Sequence, residues 1–341
     1  NWYEELKKSI FQFSTCAINF TCIVVVNKTL ASDEFQKQIE SVASSTLMFV
    51  GDECHHHGSK KLNVSLPNQA SFRLGLSATP KHYIDNEAND RLTDFYGPIV
   101  AKYSLKQAIL DDVLTPYEYK VIPIELTPEE TEVYITLSEK ISRHSQFGEK
   151  TRNDDVLRAL LTKRARLMGA AENKLPALKG LLSHLEPRPY SLFYCGDGSV
   201  DDEQSDSEIR QIDAVIKLIS DMRWEPSRFT AREKPAERRA ILSNFKEAAI
   251  KSLVAIRCLD EGIDIPACET AFILASSQNP RQFIQRRGRI LRRNLGKEKA
   301  YIFDFFVYIP SSKSSGDHER RMMIKELKRI VEFSELSLNK H

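Results

Sequence analysis

Apolar positions along the chain fall into two kinds of run. Short β-branched or aromatic runs occupy residues 22–26, 46–50, 72–76, 119–126, 191–194, 253–257, 270–275 and 300–305. Their length and their bounding turn residues predict strands. Longer stretches with helical spacing lie between them, at 32–42, 128–143, 154–185, 206–222, 235–248 and 280–293. Strand alternating with helix predicts an α/β chain built on parallel sheets. The pattern breaks at 111–117, so two domains are expected, 1–115 and 116–341. The polar, acidic stretch 196–207 reads as a solvated loop. A second loop, 311–317, precedes a charged helix at 319–333. No internal repeat of solenoid period is visible.

Composition narrows the class without choosing a function. The 341 residues are 41% hydrophobic and 28% charged, as in a globular protein of about two domains. No apolar run approaches the roughly 20 residues needed to span a bilayer, so no membrane partner is expected. The first residues lack the basic start and apolar centre of a signal peptide. The chain opens on Asn1 instead of Met, so it is expected to begin inside a longer protein. The net charge of +2 neither selects nor excludes nucleic acid, because a basic groove can hide in a balanced total. The six cysteines show no CxxC spacing and read as reduced thiols of a cytoplasmic protein. The run Cys54-His55-His56-His57 does not read as a zinc site, because consecutive residues cannot all converge on one tetrahedral ion.

Four segments carry candidate chemistry. At 48–55 an apolar strand runs into two carboxylates, Asp52 and Glu53. Ligands of open parallel sheets bind beyond the carboxyl ends of the strands. Adjacent acids there suit a magnesium–phosphate site, one holding the ion and the other orienting a water. At 73–80 a second strand ends in Ser77 and Thr79, whose hydroxyls can bond to the acid site. At 253–266 a buried strand is followed by an acidic glycine turn. Gly262 permits close backbone approach, and Asp264 suits a ribose hydroxyl. At 279–293 a proline-led helix is expected to carry Gln285, Arg289 and Arg292 at i, i+4 and i+7, on one face. Guanidinium groups on such a stripe fit phosphate oxygens. Each segment also has a plain reading: a surface turn, a strand end with a proline stop, a βα loop and a solvated basic face.

Taken in order, Asp-Glu-Cys-His at 52–55, Ser-Ala-Thr at 77–79, Asp-Glu-Gly-Ile-Asp at 260–264 and Gln-Arg-Arg-Gly-Arg-Ile-Leu-Arg at 285–292 resemble motifs II, III, V and VI of superfamily 2 helicases. The forms of the last two are most similar to the double-stranded DNA translocase branch, which includes excision-repair and restriction or defence motors. The resemblance implies two RecA-like domains with ATP in the cleft between them. It implies that Asp52 holds Mg²⁺ and Glu53 activates water. It makes His55, Ser77 and Thr79 the coupling residues and Gln285 the γ-phosphate sensor, with Arg289 and Arg292 as arginine fingers. Gly262 and Asp264 would lie near the ribose. Arg228 and Thr230 look like a contact to the nucleic-acid backbone. The partners implied are nucleic acid, here double-stranded DNA, and repair or defence proteins.

Two departures stand out. No Gly-x-x-x-x-Gly-Lys-Ser/Thr loop occurs in the 341 residues. The family places that phosphate cradle well before the paired acids, so the first domain is expected to be truncated at its N-terminus. Ile256 stands where many relatives carry a threonine for a phosphate contact. A second function class follows from the first departure: this chain alone would be an ATPase-inactive module that binds nucleic acid or a partner. A metal-dependent nuclease built on Asp197, Asp201 and Asp202 is disfavoured, because no lysine stands at nuclease-like spacing.

Overall fold

The computed structural model describes residues 1–80, 85–147, 155–196, 199–202, 207–230, 232–256, 268–275, 288–309, 324, 327–328 and 330–340. The chain divides into two compact units, Asn1–Lys102 and Tyr103–His341. The sequence boundary drawn at 115 falls just after the helix Leu105–Leu110. That helix packs Leu105 and Ile109 on the core of the second unit.

The first unit opens with the helix Trp2–Ser14, which the apolar spacing did not single out. Its Leu6 and Ile10 join Leu30, Phe35, Ile39, Leu66 and Phe95 in one core. Residues 22–26 were expected to be a strand. Their alternation is kept, with Ile23 and Val25 against the core and Val24 and Val26 exposed, but they join no ladder among the described residues. Strands β1 (Met48–Gly51) and β2 (Phe72–Gly75) pair in parallel, Met48 opposite Phe72 and Gly51 opposite Gly75. Phe49 packs on the core, whereas Met48, Val50, Phe72 and Leu74 are exposed. Parallel sheets are ordinarily covered on both faces, and here one face is bare. The helix Asn86–Tyr96 closes the covered face. It starts where the Ala88 N–H donates to Asp85 Oδ1 at 3.0 Å, which satisfies one of the open donors of its first turn.

The second unit is built on β3 (Tyr117–Glu125), β4 (Ser191–Tyr194), β5 (Ser199–Asp202), β6 (Ser207–Arg210), β7 (Pro226–Phe229), β8 (Ser252–Ala255), β9 (Thr270–Ile273) and β10 (Ala300–Tyr308). Six of them form one parallel sheet in the order β3-β10-β9-β4-β8-β7. The central strands β4, β8 and β9 are buried at every position, which is why they read as continuous apolar runs rather than alternating ones. One face holds Leu192, Tyr194, Leu253, Ala271, Ile273 and Ile302. The other holds Phe193, Val254, Phe272 and Phe303. Phe193 and Phe303 both stand opposite Phe272 in register, and the three rings stack across three strands at 4.5 and 5.0 Å. This cross-strand ladder helps fix the register.

Every apolar run named above except 22–26 forms a strand, and the class is α/β with parallel sheets in both units. Two further expectations are corrected. The acidic stretch 196–207 is not simply a loop. Residues 199–202 pair antiparallel with 207–210, Val200 opposite Ile209, so the ladder joins the stretch to the residues that follow it. The single helix expected at 154–185 is two, Asp155–Gly169 and Lys174–Leu182. The break is held by the buried Lys174, whose Nζ donates back to the carbonyls of Met168 at 2.6 Å and Gly169 at 3.1 Å. The preceding helix, Pro128–Phe147, starts with a reciprocal cap. The Glu130 N–H donates to Thr127 Oγ1 and the Thr127 N–H to Glu130 Oε2.

Candidate functional site

Parallel pairing of β1 and β2 sets their carboxyl ends side by side, which brings the 52–55 turn to the 77–79 turn. The Leu76 N–H donates to the Gly51 carbonyl at 2.8 Å, and the Cys54 N–H donates to the Leu76 carbonyl at 2.9 Å. Between these bonds Glu53 adopts the left-handed conformation, with φ 45° and ψ 46°. A non-glycine residue there costs on the order of 1 kcal/mol, so the flanking bonds must hold it. The Asp52 side chain is exposed, and its Oδ1 accepts from the Glu53 N–H at 2.9 Å. Among the described residues no group of three or more His, Cys, Asp or Glu is arranged to hold a metal. One carboxylate at an open strand end suits Mg²⁺, which keeps waters and shares its ligands with substrate phosphates.

His55 is fully buried and links the two turns. Its Nδ1 lies 3.1 Å from Ser77 Oγ and 3.3 Å from Glu53 Oε2. The Thr79 N–H donates to the same Ser77 Oγ at 3.1 Å, and the Thr79 side chain is buried. Thus Glu53, His55, Ser77 and Thr79 form one connected cluster, with Asp52 at its exposed edge.

Beneath the cluster lies a layer that the motifs did not reveal. Buried His57 bridges Asn27 and Tyr96, with Nε2 3.1 Å from Asn27 Oδ1 and Nδ1 2.6 Å from Tyr96 Oη. Because Asn27 Oδ1 accepts, Nε2 carries the proton, and the Tyr96 O–H donates to Nδ1. Burial, with a smaller push from His56, holds the His57 pKa below its ordinary value. Burial likewise raises that of Tyr96. Both side chains are therefore neutral at pH 7. They press against the glycine before Asp52: a Cβ on Gly51 would meet Tyr96 Oη at 2.1 Å and His57 Cε1 at 2.9 Å. The sequence signal was Gly-Asp-Glu itself, a glycine at the end of a strand.

In the second unit Arg228 lies one residue before the end of β7 and is ion-paired with Asp213. Buried Thr230 follows. Its N–H and hydroxyl both donate to Glu233 Oε2, at 2.6 and 2.7 Å. These bonds, aided by Arg228, lower the Glu233 pKa against the opposing effect of burial. Both predicted nucleic-acid residues thus sit at the carboxyl edge of the sheet, already engaged with carboxylates. Gly262, Asp264 and Gln285 lie outside the described residues.

Arg289 is part-buried in the helical turn 288–290, and Arg292 is exposed just beyond it. The expected continuous stripe therefore ends early. Arg292 pairs instead with Leu114 in an isolated antiparallel bridge. Ile290 and Leu291, at 1% and 0% exposure, sink into the core and fix the depth of the segment. Arg293 is ion-paired with Asp112.

The chain matches the SWI2/SNF2 ATPase family over residues 3–153 and the helicase conserved C-terminal domain over residues 204–294. It is 27% identical over 277 residues to the DNA 3'-5' translocase XPB2 of Sulfurisphaera tokodaii, a match covering 76% of this chain and 59% of that protein. The chain thus spans somewhat over half the length of this relative. Among solved structures, the Hef helicase domain of Pyrococcus furiosus is 15% identical at a TM-score of 0.47, covering 89% of this chain and 78% of that one. The ATP-dependent Type ISP restriction-modification enzyme LlaBIII bound to DNA is 17% identical at a TM-score of 0.48, covering 89% and 21%. The SWI2/SNF2 ATPase match spans the clustered acids and the hydroxyl turn, and the helicase C-terminal match spans the arginine segment; the chain carries these two helicase-type domains in that order.

Proposed function

We propose that the protein is an ATP-dependent DNA helicase or translocase motor. The observation that carries this reading is the position of His55 Nδ1, within 3.3 Å of both Glu53 and Ser77. A side chain that touches the water-activating acid and the neighbouring strand end can pass the state of the nucleotide to the rest of its unit. Asp52 holds Mg²⁺, which neutralises phosphate charge when bound. Glu53 orients the attacking water and takes its proton. Ser77 and Thr79 follow His55. Gln285, Arg289 and Arg292 stabilise charge on the transferred phosphoryl group, and Gly262 and Asp264 serve the ribose end. Arg228 and Thr230 contact the DNA backbone, where phosphate replaces the carboxylates of Asp213 and Glu233. Double-stranded DNA is the substrate track, and repair or defence proteins are the partners.

The test is ATPase activity of the full-length protein with and without double-stranded DNA, for the native sequence and Glu53→Gln. Stimulation by DNA, lost in Glu53→Gln, supports the reading. Absence of stimulation, or full activity in Glu53→Gln, overturns it. A second reading applies to the 341 residues alone, which contain no phosphate-binding Gly-x-x-x-x-Gly-Lys-Ser/Thr: they bind nucleic acid without turnover. Salt-sensitive DNA binding by this chain without ATPase activity is its signature.

A further inference from the structure

The end of the arginine segment is fastened in an unusual way. Helix C-termini leave their last carbonyls without intrahelical donors, and most are met by water or a glycine cap. Here three consecutive carbonyls are closed from elsewhere in the chain. The Lys297 ammonium donates to the Ile290 carbonyl and, at 3.0 Å, to the Arg292 carbonyl. The Thr115 N–H donates to the Leu291 carbonyl at 2.7 Å, and its hydroxyl to the Arg292 carbonyl at 3.4 Å. Lys297 is 3% exposed and Thr115 fully buried, so both donor residues are withdrawn from water. The return of Lys297 depends on Gly296, whose φ of 82° lies in the region that favours glycine.

A buried ammonium is costly, and burial lowers the Lys297 pKa, with Cys268 and Glu269 acting in the opposite direction. Carbonyl dipoles at a helix end compensate part of that cost. A core that needed only stability would place an apolar side chain there. The lysine supplies three donors from one compact group, which lets it grip two carbonyls at once.

We propose that Lys297, seconded by Thr115, is the positioning residue of the arginine segment, setting the direction in which Arg289 and Arg292 project. This rests on the reading of those two arginines as phosphate ligands. Lys297 touches no substrate. It acts by holding the backbone from which Arg289 and Arg292 extend, so that the guanidinium groups meet phosphate charge in one preset geometry.

The experiment compares Lys297→Met, Arg289→Ala, Arg292→Ala and Lys297→Met/Arg292→Ala in the full-length protein with DNA. Two readouts are taken: steady-state ATPase and backbone hydrogen exchange. In Lys297→Met, exchange at the Thr115 amide is expected to accelerate while β4 and β8 amides keep their protection. Its kcat is expected to fall about tenfold with KM for ATP within about twofold, and the double variant to be no worse than Arg292→Ala alone. Unchanged Thr115 exchange overturns the proposal. So does an intact kcat in Lys297→Met where Arg292→Ala is impaired, or additive losses in the double variant. Full kcat in both Arg289→Ala and Arg292→Ala overturns the arginine reading, and this inference with it. Should Lys297→Met not fold, Thr115→Val, which removes only the hydroxyl bond to the Arg292 carbonyl, is judged by the same outcomes with smaller changes.

Discussion

Tyr96 Oη lies where a Cβ on Gly51 would be, 2.1 Å from the ideal Cβ position, so a helix residue 45 positions later makes the residue before Asp52 a glycine. The contact ties the helix Asn86–Tyr96 to the base of the acid turn. It explains a glycine that the strand pattern alone leaves arbitrary.

Gly51→Ala is expected to destabilise the first unit by about 3 kcal/mol, because the added methyl must displace a packed tyrosine and His57. In a Tyr96→Phe background the obstructing oxygen is gone, and the same change should cost at least about 1 kcal/mol less. Urea unfolding of the four proteins of this cycle measures both. Equal costs in the two backgrounds would show that Tyr96 is not the obstacle.

His57 imposes a pH dependence on stability. Its folded-state pKa lies below the ordinary 6.5, chiefly through burial. The unfolded chain therefore binds the proton more readily. The stabilisation is complete above 6.5 and is lost as pH falls from there through the folded-state value. Unfolding free energy measured between about pH 5 and 7 should slope upward with pH, and His57→Gln should flatten that slope. A slope unchanged in the variant would assign it to other groups.

Ser77→Ala removes the hydroxyl that His55 and the Thr79 N–H share. Losing about 1 kcal/mol at this junction corresponds to about a fivefold fall in the DNA-stimulated ATPase rate. Rates measured at saturating DNA report it. A stimulated rate equal to that of the native protein would remove Ser77 from the coupling path.

Lys174→Met should cost the second unit about 3 kcal/mol, since one buried ammonium serves the carbonyls of Met168, Gly169 and Leu274. The melting temperature is the readout. A change within the error of the melt would mean that water takes over these carbonyls.

Much of the architecture is written locally. Residues 191–194, 252–255 and 270–273 are apolar at nearly every position because both faces of their sheet are covered, and that property shows in the residues themselves. The acid pair, the hydroxyl turn and the arginine segment were likewise legible as candidates, because the chemistry proposed for them needs particular residue types at particular places along the chain. What the sequence alone left open depends on partners distant in the chain. Whether 22–26 pairs as a strand depends on a neighbour, not on its own alternation. The arginine helix stops where Thr115, about 175 residues earlier, meets its carbonyls. The isolated lysines 174 and 297 look like surface charges until folding carries them inside. His57 resembled the end of a histidine run until Asn27 and Tyr96 closed on its two nitrogens. Residue type and spacing nominated the chemistry proposed for the chain; long-range packing decided which side chains surround the candidate residues, because burial and hydrogen-bond partners are properties of neighbours in space.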